Sequence, residues 1–389
     1  MESVSKEIVI FGAGLYGIKA LKQYGEDKVA FFIDNSEAKQ GTFVQGKVIK
    51  GIKDILPHKD RYQIIIATSY SASIEKQLQD VGISDYTIFE DNMLHGYYET
   101  DKLIVNPYEE SGEAATEEEW AAQEKLAYSR KAVYDEVERL FRAPRLFSHI
   151  ELETINRCNG NCSFCPVNRK DDPREKVVMT KELFEKIVCQ LAEMDYSGRF
   201  TTFSNNEPLL DERLIDFNRY AREKLPKARM HLFTNGTLLT LDKFIALTQI
   251  LDELIIDNYQ QDLKLIKPCV EISSYCEEHP ELKKKVTIVL RKPQEILTSR
   301  GGTAPNRKVL LDYGEDRCIL PFKQMIVRPD GKVSLCCNDA VGKYTLGDLN
   351  KESLLDVWYG PKFTMVRKSL YEGRKEWGNC RLCDSFTMG

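Results

Sequence analysis

Residues 157–166 read RCNGNCSFCP and place Cys158, Cys162 and Cys165 within eight positions. Disulfide frameworks use thiols in pairs, and a structural zinc site closes with four ligands. Three thiols on a loop containing glycine and asparagine suit one face of a metal cluster. Those residues tolerate the left-handed backbone needed to wrap sulfurs around a common centre. The preceding HIELETINRC reads as a strand, so the fold must bring a strand end to a metal. A zinc site completed elsewhere and three unrelated buried thiols are the alternatives.

The rest of the chain supports a parallel α/β fold. In the first hundred residues EIVIFG, KVAFFIDN, YQIIIATS and YTIF read as strands, with helices at LYGIKALKQYG and SASIEKQLQDVG. Strands alternating with helices imply a parallel sheet covered on both faces. Residues 106–125 are acidic and poor in large aliphatics, reading as a linker into a helix through LAYSRKAVYDEVERLFR. A second alternating series places strands at 149–155, 199–204, 229–234, 253–257, 285–291 and 308–312. Helices around 180–195, 211–224, 240–251 and 260–277 separate the first five. From about 314 the pattern changes to a β-hairpin turning at Pro329-Asp330-Gly331, a helical stretch at 353–373, and a closing NCRLCD. The predicted domains are 1–100, a linker and helix at 101–145, 146–313, and a small unit at 314–389. A chain of 389 residues exceeds one ordinary core.

A net charge of −5 argues against nucleic-acid or membrane-surface partners. No run reaches the roughly 18–20 apolar residues of a membrane span, and MESVSKEIVIFGAG does not read as a signal peptide. The expectation is a cytoplasmic protein, where thiols stay reduced. Eleven cysteines there suggest metal or redox chemistry.

A [4Fe–4S] cluster normally takes four thiolates, so three leave one iron open, as catalytic metal sites keep a position open. Here CNGNCSFC, with Phe164 before the last cysteine, resembles the cluster loop of the radical SAM superfamily. The resemblance implies a partial (β/α)6 TIM barrel with its site at the C-terminal strand ends. It implies that S-adenosylmethionine binds the open iron and is cleaved reductively to a 5′-deoxyadenosyl radical, which abstracts hydrogen from a substrate. An electron donor such as flavodoxin or ferredoxin would supply the electron. The family's Gly-Gly-Glu-Pro turn appears as Asn205-Asn206-Glu207-Pro208. Asn206, Glu207 and Pro208 are therefore cofactor-binding candidates, and Asn235 joins them from a Thr-Asn-Gly turn. Later strand ends offer Asp257, Asn258, Tyr259 and Arg291, and the loop SRGGTAPNR offers Arg300. Tyr259 and Arg291 are catalytic candidates. Cys189, Cys269 and Cys276 read as small buried hydrophobes, and the five histidines receive no role.

The C-terminal thiols are Cys318, Cys336, Cys337, Cys380 and Cys383. Gly331-x4-Cys336 and the closing Cys380-x2-Cys383 resemble SPASM and twitch extensions, which hold auxiliary [4Fe–4S] clusters. The full SPASM pattern has more cysteines than the five of this C-terminal set, which implies one auxiliary cluster on Cys318, Cys336, Cys380 and Cys383. The spacing resembles the twitch arrangement of aminocyclitol dehydrogenases. A zinc knuckle is the alternative. Cys337 could replace Cys336 as a ligand, give a hydrogen atom to a substrate radical, or only pack.

Near the N-terminus, FGAGLYG sets Gly12, Gly14 and Gly17 in a G-x-G-x-x-G pattern between strand and helix, with Asp34 ending the next strand. This Rossmann-like arrangement suits a phosphate at the helix N-terminus and a ribose at the acid. It also resembles nucleotide-sugar modules of bacterial sugar-modifying acyltransferases. NAD, a nucleotide sugar, or a scaffold without ligand remain open. Together these features predict a radical SAM oxidoreductase, a dehydrogenase of a small carbohydrate or cyclitol, with the auxiliary cluster as electron acceptor. The competing readings are thioether formation or epimerisation on a ribosomal peptide, and a nucleotide-binding iron–sulfur redox sensor.

Overall fold

The computed structural model describes residues 6–68, 71–89, 102–108, 124–167, 174–309 and 311–386. The chain divides into two compact units, residues 1–96 with 131–142, and residues 97–130 with 143–389.

In the first unit the strands are β1 (Glu7–Phe11), β2 (Val29–Ile33), β3 (Phe43–Val44), β4 (Lys47–Lys50), β5 (Tyr62–Ile66) and β6 (Tyr86–Ile88). They lie in the order β3-β4-β2-β1-β5-β6. All neighbours are parallel except β3 and β4. Period-2 alternation sends Ile10, Phe32 and Ile65 to one face, where Ala20 and Leu21 of helix Leu15–Tyr24 cover them. Val9, Phe11, Phe31, Ile33, Ile64 and Ile66 face the other way, toward Ile74 and Leu78 of helix Ser71–Asp80. Burial on both faces is why these strands read as unbroken apolar runs. The β3–β4 hairpin had no such signature. It turns on Gln45 (φ 48°) and Gly46 (φ 72°), the pair of positive φ values that a two-residue hairpin turn requires.

The second unit is built on one nine-stranded sheet. Its strands are β7 (Ile104–Val105), β8 (His149–Leu152), β9 (Arg199–Thr201), β10 (Arg229–Thr234), β11 (Glu253–Tyr259), β12 (Val286–Arg291), β13 (Gln324–Val327), β14 (Lys332–Ser334) and β15 (Thr345–Asp348). The order is β15-β14-β13-β8-β9-β10-β11-β12-β7. From β13 to β7 every pairing is parallel, and β14 and β15 extend the sheet antiparallel. Helices Lys181–Glu193, Leu214–Lys224, Leu241–Ile250 and Lys267–Glu278 fall where the apolar periodicity placed them. Thr180 and Thr240 cap two of them, accepting from Leu183 N and Lys243 N.

Two elements differ from expectation. The described residues of 308–312 form no strand, and the position beyond β12 belongs to β7, in the predicted linker-and-helix segment 101–145 just ahead of the acidic stretch 106–125. Residues 109–123 of that acidic stretch lie outside the described residues. The C-terminal hairpin turns at Gly331 (φ 81°) as expected, but its first strand pairs with β8 and lengthens the central sheet. The helical stretch after it is two helices, Leu354–Trp358 and Pro361–Glu372, separated where Gly360 precedes Pro361. Cys269 and Cys276 are buried, whereas Cys189 is exposed, its Sγ 3.4 Å from the Tyr220 hydroxyl.

Candidate active site

The loop after β8 carries the first three thiols, none of them in a disulfide. Gly160 N donates to Cys158 Sγ at 3.2 Å. A Cβ at Gly160 would lie 3.3 Å from Cys158 Sγ and 3.9 Å from Cys162 Sγ. The loop therefore curls around space that a side chain would take from the sulfurs. Cys165 N donates to Cys162 O, and Ser163 N to Pro293 O, fixing the end of the loop. Burial pushes the Cys158 thiol up to about 11 and the Cys162 thiol up to about 12, with the neighbouring thiols adding repulsion. No cation is among the largest influences on either thiol. Metal coordination supplies positive charge and deprotonates the thiols outright, so this donor set fits an iron–sulfur cluster.

Glu207 links the next two strand ends. Its carboxylate accepts from Thr234 Oγ1 at 2.8 Å, Asn235 N at 2.8 Å and Leu209 N at 3.1 Å. Burial outweighs these donors and raises its pKa. Most of its acceptor capacity is thus spent within the protein, on holding Asn235 in place. Asn235 Nδ2 in turn donates to Asn159 Oδ1 at 2.8 Å and lies 3.9 Å from Cys158 Sγ. Pro208 is buried and opens a short 3-10 turn. Asn206 Oδ1 accepts from Ser204 N at 3.0 Å, while its buried Nδ2 has no hydrogen-bond partner. That donor fits a carboxylate-bearing ligand such as S-adenosylmethionine.

Phe164 is buried, its ring 5.9 Å from that of Tyr259. Burial, then the Asp257 and Cys162 charges, push the Tyr259 phenol well above its ordinary range. Arg291 Nε lies 3.5 Å from Asp257 Oδ1 and its Nη1 lies 3.7 Å from Glu295 Oε2. Tyr108 donates to Glu295 at 2.6 Å. The structure therefore brings Tyr259 and Arg291 to the Cys162 side of the loop, with Arg291 between two carboxylates.

The second set lies across Asn205. Cys336, Cys380 and Cys383 are buried and Cys318 half-buried. Burial first, and then one another's charge, raise Cys336, Cys380 and Cys383, the last to about 11. Charges on Cys337, Cys380, Cys318 and Cys383 all act on Cys336. Cys337 differs: after burial, its largest influences are Glu151 and Arg300. Asn205 Nδ2 donates to Cys337 O at 3.0 Å, and Arg300 Nη1 donates to Asn205 Oδ1 at 2.9 Å.

Sequence reasoning missed two residues here and left a third, Arg300, without a role. Glu151 and Glu153 are buried carboxyls on and just after β8, each raised to about 7 by burial. Two acids among the apolar residues of HIELE were the available signal. Arg300 was noted only as part of a flexible loop. It sits at φ 48°, a strained conformation for a non-glycine residue. Gly301 and Gly302 hold the loop against Asn379 and Leu382, within 3 Å of where their Cβ atoms would be.

In the N-terminal unit, Gly12 (φ 118°) packs on Ala67 O, and a Cβ at Gly17 would overlap Gly12 O. Gly14 meets nothing within 4 Å and begins the helix without a side-chain cap. A cavity of about 270 Å³ lies between Gly12, Asp34, Asn35, Thr68 and Ser73. Asp34 is not free to face it fully. Its carboxylate accepts from Ala13 N and Ser36 N, both at 2.9 Å, and from Lys39 at 3.1 Å. These donors hold its pKa below the ordinary value against the opposing effect of burial.

Among the described residues no helix is long and apolar enough to cross a membrane. Residues 152–264 match the model of the radical SAM superfamily, and residues 318–384 match that of the SPASM iron–sulfur cluster-binding domain. The S-adenosyl-L-methionine-dependent 2-deoxy-scyllo-inosamine dehydrogenase of Niallia circulans is 27% identical over 245 residues, covering 63% of this chain and 95% of that protein. The crystal structure of BtrN in complex with AdoMet and 2-DOIA superposes with a TM-score of 0.55 at 27% identity, covering 63% of this chain and 97% of that one.

Proposed function

Because this chain belongs to the radical SAM superfamily and ends in a SPASM domain, we propose that it oxidises a hydroxyl-bearing carbon of a small cyclitol- or sugar-like substrate. The observation that carries this reading is the contrast between the two thiol sets, three on the β8 loop and four at the C-terminus. Similarity to a dehydrogenase of an aminocyclitol supports the substrate class. Cys158, Cys162 and Cys165 would hold the cluster that binds S-adenosylmethionine. Cys318, Cys336, Cys380 and Cys383 would hold the auxiliary one. When bound, these groups supply a hydrogen-abstracting radical and an electron sink.

The chain's own residues position and exclude. Gly160 and Asn235 shape the loop around Cys158, Asn206 Nδ2 offers a donor to the cofactor, and Phe164 and Tyr259 wall off water. Conversion of a carbinol radical to a carbonyl releases one electron and one proton. Glu151, raised to about 7 by burial and under the influence of Arg300, would take the proton. A small one-electron carrier of the flavodoxin or ferredoxin type would reduce the first cluster. At the N-terminal cavity we propose a nucleotide, NAD or a nucleotide sugar, with its phosphate at the uncapped helix N-terminus and its ribose displacing Lys39 from Asp34.

The test is anaerobic turnover of the reconstituted protein with dithionite, S-adenosylmethionine and aminocyclitols or sugars deuterated at each carbinol. The reading expects 5′-deoxyadenosine carrying substrate deuterium, together with a keto product. If no 5′-deoxyadenosine forms, the radical assignment falls. Should it form without label from any polyol, the substrate class falls. Return of a solvent hydrogen to the substrate without oxidation would indicate epimerisation, with Cys337 as donor.

A further inference from the structure

Arg374 is a buried cation, 1% exposed, in the C-terminal cysteine region. Its Nε and Nη2 donate to Arg317 O at 3.1 and 2.8 Å, and Nη2 also donates to Ser385 O at 2.9 Å. Nη1 donates to Cys383 O. The Phe386 ring lies 4.6 Å from the guanidinium carbon. One of these carbonyls belongs to Cys383, one to the residue before Cys318, and one to a residue two beyond Cys383.

The described hydrogen bonds of Arg374 all go to neutral carbonyls. The acids that flank the contacted carbonyls pair with other cations: Asp316 with Arg130 at 3.2 Å, and Asp384 with Arg307 at 2.6 Å. The negative charges that act most directly on Arg374 are those of Cys318 and Cys383, with Asp316 and Cys380 next. A buried charge answered only by neutral groups is costly. It is compensated if a negatively charged group occupies the thiol set, as a four-thiolate iron–sulfur cluster does.

We propose that Arg374 is a positioning residue whose charge raises the reduction potential of the auxiliary cluster, making that cluster an acceptor for the electron released by the substrate. The inference rests on the reading of Cys318, Cys336, Cys380 and Cys383 as a cluster site. Reduction adds one negative charge. A cation fixed nearby, out of reach of solvent screening, favours the reduced form. Cluster potentials respond to net charge and to solvent exposure. A guanidinium that served only to tie three backbone segments together would affect iron loading and leave the potential alone.

The experiment is an anaerobic redox titration of the reconstituted full chain, followed by electron paramagnetic resonance. The first cluster's signal is assigned by its change on adding S-adenosylmethionine. About eight irons per chain and a second [4Fe–4S] signal establish the premise; about four irons would sink the cluster reading and not the role of Arg374 given a cluster. Arg374→Gln removes the charge and Arg374→Lys keeps it, each with fewer donors than the native guanidinium. The auxiliary midpoint should move negative in Arg374→Gln and stay near native in Arg374→Lys. The midpoint does not depend on occupancy, so partial loading does not obscure it. An unchanged midpoint in Arg374→Gln overturns the proposal. If that variant holds no auxiliary cluster, Arg374→Lys decides: a native midpoint supports the charge, and a strongly negative one assigns the effect to hydrogen bonding and overturns it.

Discussion

Glu153→Gln tests whether the acids on and just after β8 are held against their preference. Glu153 is 3% exposed and accepts from Asn205 N at 3.0 Å. Burial raises its pKa from 4.5 to about 7, against the opposing influence of Arg174 and with a further upward push from Glu151. The folded state therefore binds this proton more tightly than the unfolded state. The sign follows: below about pH 4.5 the group costs nothing, stability falls as pH rises toward 7, and above 7 the full penalty applies. At 1.36 kcal/mol per tenfold change in proton affinity, the full penalty is about 3 kcal/mol, of which about 2 kcal/mol develops between roughly pH 5.5 and 8. Gln keeps the acceptor for Asn205 but adds an NH2 group. Any cost of leaving that group unsatisfied is independent of pH and cancels in the slope. Relief of Glu151 adds to the effect, because the two carboxyls titrate as a pair. Melting temperatures of native protein and variant, measured across this range, should diverge by about 4 °C, at roughly 2 °C per kcal/mol. The variant should gain at the alkaline end. Parallel curves would show that Glu153 is ionised in the folded protein without cost, and the argument from burial would be wrong.

Replacing Cys158, Cys162 and Cys165 together by alanine should lower iron from about eight to about four per chain, measured by chelator assay. Cys336→Ala should lose the auxiliary cluster while Cys337→Ser retains it, because the Cys337 thiol answers chiefly to Glu151 and Arg300. Asn205→Gly removes the acceptor of Arg300 and the donor to Cys337 O. One charged hydrogen bond of about 1.5–3 kcal/mol is lost. Keto product per 5′-deoxyadenosine should fall roughly tenfold while 5′-deoxyadenosine formation changes little, both read by chromatography.

What was legible in the sequence follows from range. β1, β2 and β5 announce themselves because both faces of each are buried. β7 has only two residues and carries no periodicity. The β3–β4 turn uses Gln-Gly, which lacks the composition of the common hairpin signals. The pairing of β13 with β8 joins residues about 175 apart in sequence, Gln324 with His149, and no local pattern encodes it. The same limit applies to the site. The cysteine spacings were readable where ligands share a short loop, as in Cys158-x3-Cys162-x2-Cys165 and Cys380-x2-Cys383. That Glu207 spends its carboxylate on Thr234, Asn235 and Leu209 was not, since the motif names a residue and not its partners. Arg300 looked like loop composition, and only its left-handed backbone and its contact with Asn205 set it apart.

The departure of Asn205-Asn206 from the family's paired glycines has a physical consequence. Glycines there would leave the backbone open to a ligand but would offer no side-chain bonds. In this chain one tripeptide faces both thiol sets. Glu207 holds Asn235 against the loop of Cys158, and Asn205 holds Cys337 O and Arg300. On the reading of the two thiol sets as cluster sites, the three residues 205–207 in the loop after β9 link them, and their backbone is further pinned by Asn205 N to Glu153 and Glu207 N to Arg157 O. A radical that must be quenched soon after it forms favours such a short, stiff link over one routed through flexible loops. Asn205 therefore reads as a gain in coupling toward the C-terminal thiols, obtained where the ordinary turn would have kept only access.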